Sequence, residues 1–246
     1  MNKNSVIFRA DGGQDIGLGH LVRCMALAHM LKDEFSITFV CKDIPESLYE
    51  EMGIYGFSVT KIESEEEFFS ILTGKEIVVL DHYGLDTLYQ RKIKSIGSKL
   101  ICIDDLHNQE FYADLIINHA PSVTASDYKA QLYTKFALGL EYVLLRPTFL
   151  EAAKNKKRSV KQDILFICFG GSDPCNLTSR CLYVAIELSK FKKINVVVGS
   201  GYKEWNSLTK QINDYSNVNV YKDISELEML KLLKTSDVSI VPASGM

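Results

Sequence analysis

Long apolar runs are missing from this chain of 246 residues. Stretches such as Ile77–Leu80 and Ile164–Phe169 fall far short of the roughly 20 residues that a membrane-spanning helix needs. An excess of either charge is missing as well. The 28 Lys and Arg stand against 31 Asp and Glu, a formal net charge of −3, so no basic field is present to attract nucleic acid or an anionic membrane. No two of the six cysteines form a C-x-x-C pair, which removes the common zinc and redox spacings. Cys41, Cys102 and Cys168 lie inside strand-like apolar runs, and with Cys24, Cys175 and Cys181 they read as buried free thiols. Low-complexity segments and internal repeats are absent. Met1-Asn2-Lys3-Asn4 leads straight into a strand and carries no signal-peptide pattern, so a soluble cytoplasmic protein is expected.

What is present is ordinary globular material, 46% hydrophobic and 24% charged, enough for one large domain or two of about 120 residues. Short β-branched runs alternate with helical patterns, the mark of parallel sheets flanked by helices. Strands are expected at Ser5–Arg9, Ile37–Cys41, Ser58–Ile62, Ile77–Leu80, Leu100–Ile103 and Leu115–Ile117. Helices are expected at His20–Lys32, Ser47–Met52 (stopped by Gly53), from the capping box Ser64-Glu65-Glu66-Glu67 to Leu72, and at Leu88–Ile96. Pro121–Arg146 shows no clean period. Lys154, Lys156, Lys157, Arg158 and Lys161 then mark a basic linker over 151–161. Beyond it the rhythm restarts with strands at Ile164–Phe169, Ile194–Val198, Val218–Tyr221 and Val238–Val241. Helices are expected between them at Leu177–Lys190, Trp205–Tyr215 and from the box Ser225-Glu226-Leu227-Glu228 to Leu233. The pattern predicts two tandem Rossmann-like α/β domains, 1–150 and 162–246. The last strand points into a Ser-Gly turn that ordinarily feeds another helix, so the second domain is expected to continue past Met246.

Ligands of parallel α/β sheets bind beyond the carboxyl ends of the strands. On this map His20, His82, His107 and His119 all follow strands, while His29 lies on a helix. The segment from Asp11 to His20 carries Gly17 and Gly19, which let backbone approach a ligand, and it ends at a helix start where a neutral His20 could accept a proton. It is not a dinucleotide fingerprint, because Val22 stands where the third glycine belongs and the loop is too long. Asp81-His82-Tyr83-Gly84 could orient a polar ligand, and with Asp104 and Asp105 it could alternatively hold a metal. Gly170-Gly171-Ser172-Asp173 could cradle a diphosphate, or be a plain turn, and no Lys follows to make it a Walker A loop. Gly199-Ser200-Gly201 repeats that theme one strand later.

These residues, in this order, resemble one family. Phe8-Arg9-Ala10-Asp11, Ile16-Gly17-Leu18-Gly19-His20, Arg23-Cys24 and Leu27-Ala28 resemble the opening of the UDP-2,4-diacetamido-2,4,6-trideoxy-β-L-altropyranose hydrolases of pseudaminic acid biosynthesis. Leu80–Asp86, Ile103–Leu106, Leu138–Tyr142, Leu144–Pro147 and Phe169–Pro174 match further blocks, so the likeness runs from Val6 to Ser244. The resemblance implies a glycosyltransferase-B fold with an active cleft between two Rossmann-like domains. It implies a UDP-sugar substrate and a UDP product, His20 as the base that activates water, and Tyr83 lining the sugar site; Asp11, Gly17, Gly19, Asp81 and His82 are expected to bind the substrate beside them. The nucleotide side is expected at Gly170–Asp173, Gly199, Ser200 and Ser244. The scheme needs no metal and no cofactor, and a monomer is expected. A glycosyltransferase of the same fold, or a non-catalytic nucleotide-sugar binding module, is the alternative.

Overall fold

The structure, a computed structural model, describes residues 3–13, 16–154 and 161–242. It divides into two compact units, one ending at Arg146 and the next beginning at Pro147.

The first unit holds β1 (Asn4–Ala10), α1 (Gly19–Leu31), β2 (Phe35–Cys41), α2 (Glu46–Ile54), β3 (Ser58–Lys61), α3 (Glu65–Ile71), β4 (Ile77–Asp81) and α4 (Thr87–Ile96). These are followed by β5 (Lys99–Ile103), β6 (Glu110–Phe111), β7 (Leu115–Asn118), β8 (Lys129–Ala130) and β9 (Lys135–Leu138). Seven strands form one sheet in the order β3-β2-β1-β4-β5-β7-β9, and every pairing in it is parallel. β6 and β8 make a small separate pair. The central strands are covered on both faces, which is why β1 and β4 read as continuous rather than alternating apolar runs. On one face Phe8 stacks on Phe39 at 4.9 Å, packed with Leu21, Met25 and Met52. On the other, Val78, Leu100 and Phe111 meet Phe68 of α3 and Ile93 of α4. Asp86 caps α4 by accepting from Tyr89 N–H at 3.0 Å, and Gly97, at φ +108°, ends it.

The second unit holds α5 (Pro147–Lys154), β10 (Ile164–Cys168), α6 (Leu177–Glu187), β11 (Lys193–Val198), α7 (Trp205–Gln211), β12 (Val218–Lys222), α8 (Glu226–Thr235) and β13 (Val238–Ile240). Its four strands pair in parallel in the order β12-β11-β10-β13.

Several expectations meet a different local structure. Helix α2 runs through Gly53 to Ile54, and the chain turns at Gly56, whose φ is +78°. Ser64 accepts from Glu67 N–H at 3.4 Å, but Glu67 returns its carboxylate to Glu63 N–H, so only half of that capping box forms. The Ser225–Glu228 box closes fully. Helix α6 stops at Glu187, three residues early, and α7 at Gln211, four early. Residues 151–154 of the expected linker are helical in α5, and 155–160 lie outside the described residues. The segment without a period, 121–146, supplies the edge strand β9 and two short 3₁₀ turns. All six cysteines are free, but Cys175 is exposed and Cys181 half-buried. Among the described residues no helix is long and apolar enough to cross a membrane.

Candidate functional site

The first sheet winds outward from β1 in both directions, to β2 on one side and β4 on the other. That reversal opens a crevice beyond the carboxyl ends of β1 and β4, the usual ligand position in such sheets. The register sets Ala10 beside Asp81, so the residues that follow β1 meet the end of β4 there.

The loop after β1 is pinned before it reaches the helix. Gly12 N–H donates to Asp43 C=O at 2.9 Å, and Gly13 and Gly17 exchange backbone bonds of 3.2 and 2.8 Å. Gly17, at φ +80°, takes a conformation that suits glycine, and a side chain at Gly13 would strike the Asp43 carboxylate. A Cβ built on Gly19 would meet no described atom within 4 Å. Asp11 is turned inward. Its Oδ1 accepts from the N–H groups of Lys42 and Asp43 and pairs with Arg9 at 2.8 Å. Burial works against its charge, but the bonds from His82 and Arg9 outweigh that and hold the carboxyl far below its usual range. The buried Arg9 guanidinium also reaches Glu65, which accepts from Tyr89 OH at 2.7 Å. Asp11 thus ties the ends of β1 and β2 together, and its oxygens are spent on the protein.

Hydrogen-bond accounting separates the two histidines beside it. His82 has both ring nitrogens engaged: Nδ1 accepts from Gly84 N–H at 2.9 Å, and Nε2 lies 3.3 Å from Asp11 Oδ2. His20, only 4% exposed, brings Nδ1 to within 2.6 Å of Asp81 Oδ1. A carboxylate at that distance calls for a proton on Nδ1; in the neutral ring the lone pair then sits on Nε2, which has no partner among the described residues. The rings stack with centroids 6.3 Å apart.

Asp81 is fully buried and saturated with donors. Besides His20, it takes Arg23 Nε on Oδ2 at 2.5 Å, Arg23 Nη2 on Oδ1 at 2.7 Å, and the Cys24 thiol at 3.7 Å. Burial, and then the charge of Asp81, pushes that thiol well above its ordinary value, so it stays a donor. Arg23 continues through Nη1 to Asp105 Oδ2 at 2.8 Å, and the same oxygen accepts from Tyr83 OH at 3.0 Å. Burial favours the neutral Asp105, but Arg23 overrides it and pulls the carboxyl below its usual range. Burial and then Asp105 push the Tyr83 phenol up to about 12, so Tyr83 stays protonated. Tyr83 is 54% exposed, and its ring meets His20 edge-on at 4.4 Å.

The structure thus brings His20, Asp81, His82 and Tyr83 together, but it gives Asp81 a buried, orienting position rather than an open one. Asp104 turns away and accepts from His107 N–H at 2.8 Å, and burial raises its carboxyl. His107 packs against Tyr128. Burial, and then the Arg23 charge, hold His119 below the ordinary histidine value. Among the described residues no three His, Cys, Asp or Glu side chains converge as metal ligands would. Arg23 belongs to a block of the family resemblance, but no role was expected of it; its spacing of three from His20 on one helix is the local signal that could have placed it beside that ring.

The turn after β10 is built differently. Gly170 has φ +82°, while Gly171 and Ser172 are exposed. Asp173 is buried and accepts from Leu177 and Thr178 N–H at 3.0 and 2.8 Å. It caps α6, so these two N-terminal donors of the expected phosphate cradle already have a partner. Gly199 is a packing position, since a Cβ there would lie 2.5 Å from Gly171 Cα. Ser200 is exposed, and Ser244 lies outside the described residues.

No protein-family model matches the chain. It is 30% identical over 246 residues to UDP-2,4-diacetamido-2,4,6-trideoxy-β-L-altropyranose hydrolase of Campylobacter jejuni, covering 98% of this chain and 85% of that one. It is 27% identical over 241 residues to the spore coat polysaccharide biosynthesis protein SpsG of Bacillus subtilis, covering 94% and 70%. Among solved structures, MurG of Acinetobacter baumannii matches with a TM-score of 0.55 at 11% identity, over 96% of this chain and 71% of that one. That likeness, with two parallel sheets of seven and four strands, shows a glycosyltransferase-B-like α/β fold. With 30% identity over nearly its whole length, the chain belongs to the family of the UDP-2,4-diacetamido-2,4,6-trideoxy-β-L-altropyranose hydrolases.

Proposed function

We propose that this protein hydrolyses a UDP-linked 2,4-diacetamido-2,4,6-trideoxyhexose of the L-altrose type at its anomeric carbon, releasing UDP and the free sugar. The observation that carries the reading is Nε2 of His20, without a partner among the described residues, on a ring held by Asp81 at the switch point of the sheet. Water bound at Nε2 gives its proton to that nitrogen as its oxygen bonds to the anomeric carbon. The bond from that carbon to the β-phosphate oxygen breaks, and its electron pair leaves with UDP. UDP is a good leaving group, so donors that stabilise its charge suffice and no acid is required. The imidazolium that forms keeps its Nδ1–H on Asp81, which stabilises it. Attack from the side opposite UDP inverts the anomeric centre. Tyr83, neutral and exposed beside His20, is proposed to line the sugar. The exposed backbone at Gly171 and Ser172 is proposed to receive the diphosphate.

Hydrolysis in heavy-oxygen water, followed by weighing both products, tests the bond assignment. The label is expected in the free sugar. Label in the nucleotide would place the attack at phosphorus and remove the role given to His20. Free sugar formed without any added acceptor distinguishes hydrolysis from glycosyl transfer.

A further inference from the structure

Five side chains from three separate stretches of the chain close a circuit at the switch point. His20 meets Asp81, Asp81 takes two nitrogens of Arg23, Arg23 passes its third to Asp105, and Asp105 accepts from Tyr83. Tyr83 returns to the edge of the His20 ring at 4.4 Å. We propose that Arg23 is the positioning residue of this circuit, fixing in one geometry both the carboxylate that orients His20 and the carboxylate that holds Tyr83.

The shape of the guanidinium carries the argument. Nε and Nη2 form a fork on Asp81 while Nη1 points to Asp105, so one planar group sets the relation between two acids. An ammonium would keep the charge but not this division of donors. Charge counting agrees. Asp81 and Asp105 supply two negative charges and Arg23 one positive, which leaves one negative charge for the imidazolium that His20 becomes when it takes a proton. Burial makes the arrangement unforgiving: the Arg23 side chain is 13% exposed and Asp81 fully buried, so loss of either leaves a poorly compensated charge. Arg23 Nη2 also lies 3.3 Å from His20 Nδ1, on the same side as Asp81, so a displaced guanidinium would disturb the ring directly.

The kinetic arm of the test rests on the hydrolase reading, and a spectroscopic arm does not. In Arg23→Lys, kcat for the UDP-sugar is expected to fall between about tenfold and a hundredfold, with KM within about threefold, because misplacing a base by about an ångström costs on that order. Long-range nitrogen–proton spectra of the histidine rings in the unliganded protein should show His20 protonated on Nδ1 in the wild type and a mixture of tautomers in Arg23→Lys. Wild-type kcat and a wild-type ring spectrum in folded Arg23→Lys would overturn the proposal. A wild-type protein that leaves the UDP-sugar intact would sink the hydrolase reading alone, and the ring spectrum would still decide the role of Arg23. Should Arg23→Lys fail to fold, Asp105→Ala cuts the arm to Tyr83 and spares the pairing with Asp81. A several-fold loss of kcat without change in KM supports the circuit, and unchanged kcat overturns it.

Discussion

Two glycine-rich turns, one after β1 and one after β10, join a strand at the switch point of each sheet to the helix that follows, and they spend their polar groups in opposite ways. In the first unit no described side chain is seen to cap α1, and its first turn presents His20 to an acid 61 residues later in the chain. In the second, Asp173 folds back onto the N–H groups of Leu177 and Thr178 four and five residues ahead. The first turn therefore exports its chemistry to distant partners, and the second satisfies its own helix. A glycine-rich strand-to-helix turn is thus not one device. Where its acid goes decides whether the helix end is open to a ligand or already closed.

The largest expected effect breaks the first half of that comparison. His20→Asn removes the unshared nitrogen and should lower kcat by at least about a hundredfold, the lower range for a general base, while UDP affinity by calorimetry stays within a few-fold. A protein that keeps a tenth of its rate would return His20 to a packing role. Next comes Asp81→Asn. The amide offers Nδ1–H a weaker acceptor and can present N–H groups that favour the wrong tautomer, so kcat should fall on the order of a hundredfold. The His20 ring spectrum should shift with it. An unchanged spectrum would show that Arg23 and packing alone hold the ring.

Much of this is legible in the amino-acid sequence, and the residues that are not share a cause. β1 and β4 announce themselves because both faces of each are covered, so Val6, Ile7 and Phe8, or Val78, Val79 and Leu80, form unbroken apolar runs. β9, Lys-Phe-Ala-Leu at the sheet edge, buries only Ala137 fully and carries no such run. His20 stands out through its glycines, whereas Arg23 is marked by the family resemblance but without a role, because the acids that define that role, Asp81 and Asp105, are 58 and 82 residues away. Asp11 and Asp173 were legible as polar groups at strand ends, but not in direction. Local pattern places a carboxylate near a site; only the backbone around it shows that its oxygens face inward.

Middle-sized effects sharpen the second half. Gly171 and Gly199 face each other, but only one has room for a side chain. A Cβ on Gly171 meets no atom within 4 Å, while one on Gly199 would lie 2.5 Å from Gly171 Cα. Gly171→Val should therefore melt near the wild-type temperature and lose about tenfold in UDP affinity if backbone must approach the diphosphate there. Gly199→Val should lose stability first. Equal UDP affinity in Gly171→Val and wild type would make the turn a connection only.

The smallest effect has the clearest sign. If Asp173 serves α6 alone, Asp173→Ala removes a cap and should cost about 1 kcal/mol, read as a lower melting temperature. Its φ of +40° adds a reason for an Asp or Asn at this position, since both tolerate the left-handed region better than Ala. Asp173→Asn keeps an acceptor for one N–H, so it should melt between Ala and wild type. UDP then separates capping from binding. Removing a negative charge from the neighbourhood of a diphosphate lowers repulsion, and removing the cap frees the N–H groups of Leu177 and Thr178 for an anion. Both variants should therefore bind UDP as well as the wild type or more tightly, even as the Ala protein loses stability. If Asp173 instead contacts the nucleotide, both should bind several-fold more weakly, and the Asn protein should do so with little change in melting temperature. Melting curves and UDP titrations on the three proteins give each quantity independently, so a stability loss cannot masquerade as a binding loss.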